Sequence, residues 1–354
     1  MGLSTTENFD GDYIMDIIDI NRSKHILLDQ GFRGCIQISN NKQPVFTQAY
    51  GYSDFPNQIP NTLETKFATA SAGKVFVAVS ILQLVENGKL CLQDTLGNIL
   101  PLDWCKINTN ITVEQLLMHT SGIPDYFDES VMSEYEDLWK DFPNYRIRTN
   151  ADLLPLFLHK PMMYPRGTKF QYNNTGFVVL AMMIEAVTNQ PFDIYLQSNV
   201  FNPCGMDSTG YYEMDSLPAK CANSYIFEKA RNRFRTNIYS VDAKGTGAGG
   251  AFTTVGDIQK FWDALLSYKL IAQKTTFEML RCHNGNEEAG YYGYGIWLEP
   301  TDNGYSPYFQ GCDPGVSFIS YYEPSVNVTI TLVSNYGDNV WKLLRSIREC
   351  IMGK

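Results

Sequence analysis

From Val75 to Val85 the chain reads Val-Phe-Val-Ala-Val-Ser-Ile-Leu-Gln-Leu-Val, a helix-length segment apolar on nearly every face, closed by Gly88. A helix of that kind belongs inside a core, so the fold must wrap other elements around it. At its mouth stands Ser71-Ala-Gly-Lys74. Three residues apart on a helix, the two side chains share one face. A serine hydroxyl is a poor nucleophile without a base beside it. A lysine can be that base only where burial or nearby positive charge strips its proton. The buried helix supplies the burial, and its N-terminal dipole further disfavours an ammonium at Lys74.

The spacing alone is cheap. Ser39-Asn-Asn-Lys42 repeats it in a polar turn between strand-like runs (Cys35 to Ile38, Pro44 to Tyr50), where nothing would desolvate the lysine. Taken alone, Ser71 reads equally well as a helix-capping serine. Two further segments carry chemistry. Tyr172-Asn173-Asn174 lies where a loop meets the apolar helix expected over Thr175 to Val187, so a phenol and an amide could face a shared cleft; a buried aromatic beside an N-cap asparagine is the structural alternative. Near Gly311-Cys-Asp-Pro-Gly315 a glycine-rich edge leads into a strand, and such an edge can aim a backbone N–H at a developing oxyanion. Its alternative is a plain β-turn.

The net charge of −10 argues against nucleic acid or an anionic membrane surface as partner. No apolar run approaches the length of a membrane span. Eight cysteines show no C-x-x-C pair and four histidines no ligand spacing, which reads as reduced thiols without a metal. Residues 1–6 lack a basic region followed by an apolar stretch. The thiols and that start favour a cytoplasmic location, or export of a chain whose leader has already been cut. The chain carries no signal that fixes an oligomeric state.

Along the chain, an amphipathic helix is expected from Tyr13 to Leu28, followed by the strand pair around the Ser39–Gln43 turn. Helical patterning and loops dominate residues 90 to 240, with a capping box at Thr112-Val-Glu-Gln115. Beyond Gly245-Thr-Gly-Ala-Gly-Gly250, Thr254 caps a helix through Leu266. Val316 to Tyr322 and Val326 to Leu332 alternate as an antiparallel pair, and Val340, Leu343, Leu344, Ile347 and Ile351 form one apolar stripe. The expected fold is α/β (α+β): one antiparallel sheet built from both chain ends and flanked by helices, plus a mostly helical insertion. As a division of one catalytic unit over 1–354, residues 11–70 with 245–354 make the sheet-containing part and 71–244 the helical part.

The order of these segments resembles the serine β-lactamase and penicillin-binding protein superfamily, for which S-x-x-K is a signature. It is similar above all to class C β-lactamases, DD-peptidases and related esterases. Flanking stretches share the likeness: Lys66-Phe-Ala-Thr-Ala-Ser71, Leu116-Leu-Met-His-Thr-Ser-Gly-Ile123, Pro165-Arg-Gly-Thr-Lys-Phe-Gln-Tyr172 and Gly247-Ala-Gly-Gly250. The resemblance implies Ser71 as acylated nucleophile, Lys74 as its proton-transfer partner and Tyr172 as a second one. It also implies Asn174 as a hydrogen-bond partner of Lys74 and substrate, and the backbone N–H groups of Ser71 and Cys312 as oxyanion hole. His119 falls in a motif used for packing. On this reading Tyr172 needs a nearby ammonium to make its phenol acidic, which conflicts with a neutral Lys74, so either could be the base.

One departure stands out. Where the family's third motif usually reads K-T-G or H-x-G, this chain has Phe309-Gln310-Gly311, expected to line the substrate site. A phenylalanine there cannot pair with a carboxylate. The resemblance therefore implies a cofactor-free serine hydrolase of small-molecule or peptide esters or amides, an esterase or D-amino-acid peptidase or carboxypeptidase more than a β-lactamase. The competing expectation, motivated by Phe309, is a non-catalytic binding or regulatory module that keeps the fold.

Overall fold

The structure, a computed structural model, describes residues 20–351. Its centre is an eight-stranded sheet whose neighbours all pair antiparallel. The first two strands come from the N-terminal side, β1 Gly34–Asn40 and β2 Gln43–Tyr50. The other six follow much later: β3 Asn284–Asn286, β4 Gly290–Tyr292, β5 Trp297–Thr301, β6 Gly304–Asp313, β7 Val316–Glu323 and β8 Val328–Ser334. Spatial order is β2-β1-β8-β7-β6-β5-β4-β3, so β1 and β8 join the two chain ends, with Cys35 opposite Val333 and Asn40 opposite Val328.

Both faces of the central strands are covered, which is why β1 and β8 are buried along their whole length. On one face lie α1, Ile20–Asp29, and the last helix, Val340–Ile351. Its stripe Leu343, Leu344 and Ile347 packs on Ile36, Ile319 and Ile330. On the other face, the helix Val255–Leu266 sets Phe261 and Trp262 against Phe309, which stacks in turn on Phe318, and Trp262 Nε1 donates to Ser320 Oγ at 2.8 Å. Behind that layer runs α2, Lys74–Glu86, buried from Lys74 to Leu82. Next to it come the short α3, Val113–Leu117, and the apolar α4, Asn174–Thr188. Thr112 closes the expected capping box and Thr254 accepts from Asp257 N–H.

Several boundaries differ from the sequence expectation. The first helix is described only from Ile20, and residues 13–19 lie outside the described residues. Strand β8 starts at Val328, because Asn327 takes a left-handed turn conformation with φ of 51°. A hairpin pairs Tyr225–Glu228 with Arg233–Thr236, in a stretch expected to be helical. All eight cysteines are free thiols. Among the described residues no single helix is long and apolar enough to cross a membrane.

Candidate active site

Ser71 does not sit on α2 itself. It lies in a 3-10 turn, Ala70–Gly73, that leads into the helix at Lys74. In a 3-10 turn residues i and i+3 eclipse, so Ser71 and Lys74 still stack, more directly than on an α-helix. The turn is pinned from both sides. The two-residue strand Phe67–Ala68 pairs with Phe252–Thr253, Thr69 N–H donates to Ala251 at 2.8 Å, and Gly250 N–H donates to Ala70 at 3.0 Å. Ala70 is held at φ of 47°, a left-handed geometry costing roughly 1–2 kcal/mol for a residue with a Cβ. Gly311 of β6 crosses so close that a Cβ there would come 2.2 Å from Thr69 O and 2.7 Å from Ser71 N.

Lys74 is 2% exposed. Its Nζ lies 2.9 Å from Ser71 Oγ, 2.9 Å from Asn174 Oδ1 and 2.5 Å from Ala248 O. Burial lowers its pKa from the ordinary lysine value to about 8, although Glu129, Asp125 and Asp313 pull the other way. Asn174 opens α4 behind the N-cap Asn173, whose side chain accepts from Gly176 N–H at 2.8 Å. The amide nitrogen of Asn174 donates to Phe127 O at 3.2 Å and Glu129 Oε1 at 3.4 Å.

The Tyr172 hydroxyl is turned toward Ser71, the neighbour that lowers its pKa, and its ring lies 5.0 Å from Lys74 Nζ. The ring is clamped between Trp297, stacked at 5.6 Å, and His119 at 4.5 Å. The requirement for an acidic phenol is corrected here: burial pushes Tyr172 well above the ordinary tyrosine value, with Tyr292 and Glu129 adding to it. His119 is buried, and burial holds its imidazole well below the usual histidine range. Its Nδ1 accepts from Asn173 N–H at 3.1 Å, so it braces the Tyr172–Asn174 loop.

Ser71, Tyr172, Asn174, Gln310, Gly311 and Cys312 all line one cleft of about 790 Å³. Phe309 does not. Residues two apart on a strand share a face, so Phe309 points the same way as Gly311. One step along β6, that face meets the helix Val255–Leu266 instead of the Ser71 turn. Phe309 is 3% exposed, packed on Trp262 at 5.2 Å and Phe261 at 5.8 Å. Gln310 faces the other side, where Trp341 Nε1 donates to its Oε1 at 2.6 Å.

The beta-lactamase family model matches residues 25–343. The chain belongs to the beta-lactamase family. It is thus of the serine-hydrolase type. Among its relatives is a teichoic acid D-alanine hydrolase of Staphylococcus aureus, 27% identical over 85% of this chain and 70% of the relative. The solved penicillin binding protein from Bacillus halodurans is 38% identical with a TM-score of 0.88, over 92% of this chain and 99% of that one. The D-amino acid amidase from Ochrobactrum anthropi SV3, solved with D-phenylalanine, has a TM-score of 0.78 at 23% identity over 94% and 98%. That last likeness bears on the fold alone.

The family motifs leave out several residues that shape this cleft. Asp125 is 4% exposed and accepts from Asn174 N–H at 2.8 Å, Thr175 N–H at 3.1 Å and Thr175 Oγ1 at 3.1 Å, tying down the start of α4. Burial nevertheless raises its carboxyl to about 6. Asp125 itself lies behind the lining, whereas Trp297, Glu129, Asp242 and Asp313 line the cleft. For Asp125 the one available signal was an acidic residue just past the Leu116–Ile123 stretch.

Proposed function

We propose that this beta-lactamase family member hydrolyses an ester or amide through an acyl-enzyme on Ser71, as an esterase or D-amino-acid peptidase. One observation carries the reading: the Ser71 hydroxyl lies against a lysine amine whose other two partners are both acceptors. A neutral amine has two N–H donors and one lone pair. Asn174 Oδ1 and Ala248 O take the two hydrogens, which directs the lone pair of Lys74 at the Ser71 hydroxyl. With a pKa near 8, a useful fraction of Lys74 is neutral at neutral pH.

Ser71 Oγ adds to the substrate carbonyl while its proton passes to Lys74. The oxyanion accepts from the backbone N–H groups of Ser71 and Cys312, fixed donors in a site partly shielded from water. As the intermediate collapses, Tyr172 donates its phenolic proton to the departing oxygen or nitrogen and is reprotonated from Lys74. The high pKa of the phenol suits this role as a neutral proton carrier, poor as a free base but able to relay. A water then attacks the acyl-enzyme ester, gives its proton back along the same path and releases Ser71. Asn174 holds Lys74 in place throughout.

A D-aminoacyl group is the acyl class favoured by the name of the Staphylococcus aureus relative. The non-catalytic alternative rested on Phe309, whose side chain lies in the core, and nothing else favours it. The test is labelling of the folded protein with a fluorophosphonate, with adducts located by mass spectrometry. A Ser71 adduct that disappears in Lys74→Ala supports the proposal; an unlabelled Ser71 in folded protein, with no turnover of p-nitrophenyl esters, refutes it.

A further inference from the structure

The cleft beside Ser71 is lined by Glu129, Glu134, Glu136, Asp242 and Asp313, and by no lysine, arginine or histidine among the described residues. Glu136 is neutralised from outside by Arg235, at 2.6 Å. The nearest ammonium, Lys74, is not in the lining and already serves Ser71, Asn174 and Ala248. Beyond the field of Lys74, which reaches Glu129 and Asp313, the remaining carboxylates have no cationic side chain beside them among the described lining residues.

Two of them, Asp313 at the end of β6 and Asp242, line the same cleft and repel each other. Asp242 accepts from Tyr135 OH at 3.1 Å. Asp313 accepts no side-chain hydrogen bond among the described residues, and Asp242 is its strongest charged neighbour. Burial and that repulsion push Asp313 up to about 8, and burial pushes Asp242 up to about 7. Neither carboxyl is paired with a cationic side chain among the described lining residues. A second and independent observation lies alongside. Asn237, 2% exposed, lines the same cleft, and its Nδ2 is fixed on Pro314 O at 3.0 Å. Its Oδ1 is a buried acceptor that no donor among the described residues reaches. Once ionised, the two carboxylates join the orphaned amide oxygen as acceptors, and the group that suits them is cationic and rich in N–H.

We propose that Asp242, Asp313 and Asn237 form a subsite for a substrate ammonium, so that the cleft takes acyl groups with a free amine and rejects those with a carboxylate. This rests on the hydrolase reading above and adds the substrate class to it. A primary ammonium offers three N–H donors, one for each acceptor. Its charge would also return both aspartates to their ionised form. A substrate carboxylate in the same place would find no cationic side chain among the described lining residues to pair with.

The test compares D-alanyl-p-nitroanilide with its N-acetyl and N-succinyl forms on the full chain. The wild type is expected to favour the free amine in kcat/KM by about ten- to a hundredfold, the range of a charged hydrogen bond. That ratio should fall about tenfold in Asp313→Asn and in Asp242→Asn, each checked for folding by circular dichroism. Equal or better turnover of the acylated forms, or a ratio that neither variant moves, overturns the proposal. Fluorophosphonate labelling separates the two readings, because a Ser71 adduct without amine preference removes the subsite alone. If nothing is turned over, calorimetric titration with D-alaninamide and N-acetyl-D-alaninamide decides. Tighter binding of the cation, weakened about tenfold by Asp313→Asn, supports the subsite; equal binding or none removes it.

Discussion

Asn174 Oδ1 lies 2.9 Å from Lys74 Nζ across 100 residues of sequence. The contact exists because two helices start at the same place. Lys74 is the first residue of α2 and Asn174 the first of α4, and the two helices pack side by side. Their N-termini converge on the cleft, so both dipoles disfavour positive charge there. Asn174 answers with an acceptor that cannot take the lysine proton. It holds the amine without stabilising its charged form, which a carboxylate at that position would do.

The pH dependence of acylation should follow from this. In the proposed mechanism Lys74 acts as a neutral amine, and its pKa is lowered to about 8 from 10.5. The acylation rate should climb about tenfold per pH unit below 8 and level off above it, where an ordinary lysine would still be climbing past pH 10. Glu129 raises the Lys74 value, so Glu129→Gln should move the rising limb to lower pH. Stopped-flow acylation by an activated ester between pH 6 and 10 measures both. A limb centred near 10 in the wild type would remove Lys74 as the base.

Asp125 should matter more for stability than its distance from Ser71 suggests. Removing it strands the N–H groups of Asn174 and Thr175 in a buried place, at about 1–3 kcal/mol for each unsatisfied group. Asp125→Ala is expected to lose roughly 3 kcal/mol in denaturant unfolding. Asp125→Asn, which keeps an acceptor oxygen, should lose less than half of that. Equal losses in the two variants would show that packing, and not the hydrogen bonds, is what Asp125 supplies.

How much of this was readable beforehand varies with how local the cause is. The α2 segment announced its burial, since no other environment suits a helix apolar all round. The pairing of β7 with β8 and the stripe of the last helix rest on short-range periodicity, and they stand where expected. Asp125, Asp242 and Asp313 carried no such mark. The partners of Asp125 and Asp242 are distant in sequence, and an aspartate looks the same in sequence whether it anchors a helix or faces water. The direction of Phe309 was available from strand alternation once Gly311 was required to face the Ser71 turn. Reading it as a cleft residue came from comparing motif letters without asking what covers each face of the strand.

Gly311→Ala should abolish activity, and the cause is steric. A methyl 2.2 Å from Thr69 O and 2.7 Å from Ser71 N cannot be accommodated without moving β6 or the 3-10 turn. Both obstructing atoms are backbone, so no rotamer change relieves the clash. A destabilisation of about 1–3 kcal/mol is expected, together with loss of Ser71 labelling even where the variant remains folded at 25 °C. Gly88→Ala is the control: its Cβ would meet nothing within 4 Å, so only the left-handed backbone is strained, and labelling should persist.

Substitutions at Phe309 separate the core from the cleft. The side chain is enclosed by Phe261, Trp262 and Phe318, so Phe309→Ala should cost about 3–5 kcal/mol through the cavity it leaves. Phe309→Leu keeps most of the apolar volume and should cost about 1–2 kcal/mol. Because the ring contributes nothing to the cleft lining, KM of Phe309→Leu for a small activated ester should stay within about twofold of wild type, a shift below 0.5 kcal/mol. Thermal unfolding and steady-state kinetics on the same preparation give both readouts. A tenfold rise in KM with little change in melting temperature would place the Phe309 ring against the substrate and overturn the assignment of this side chain to the core.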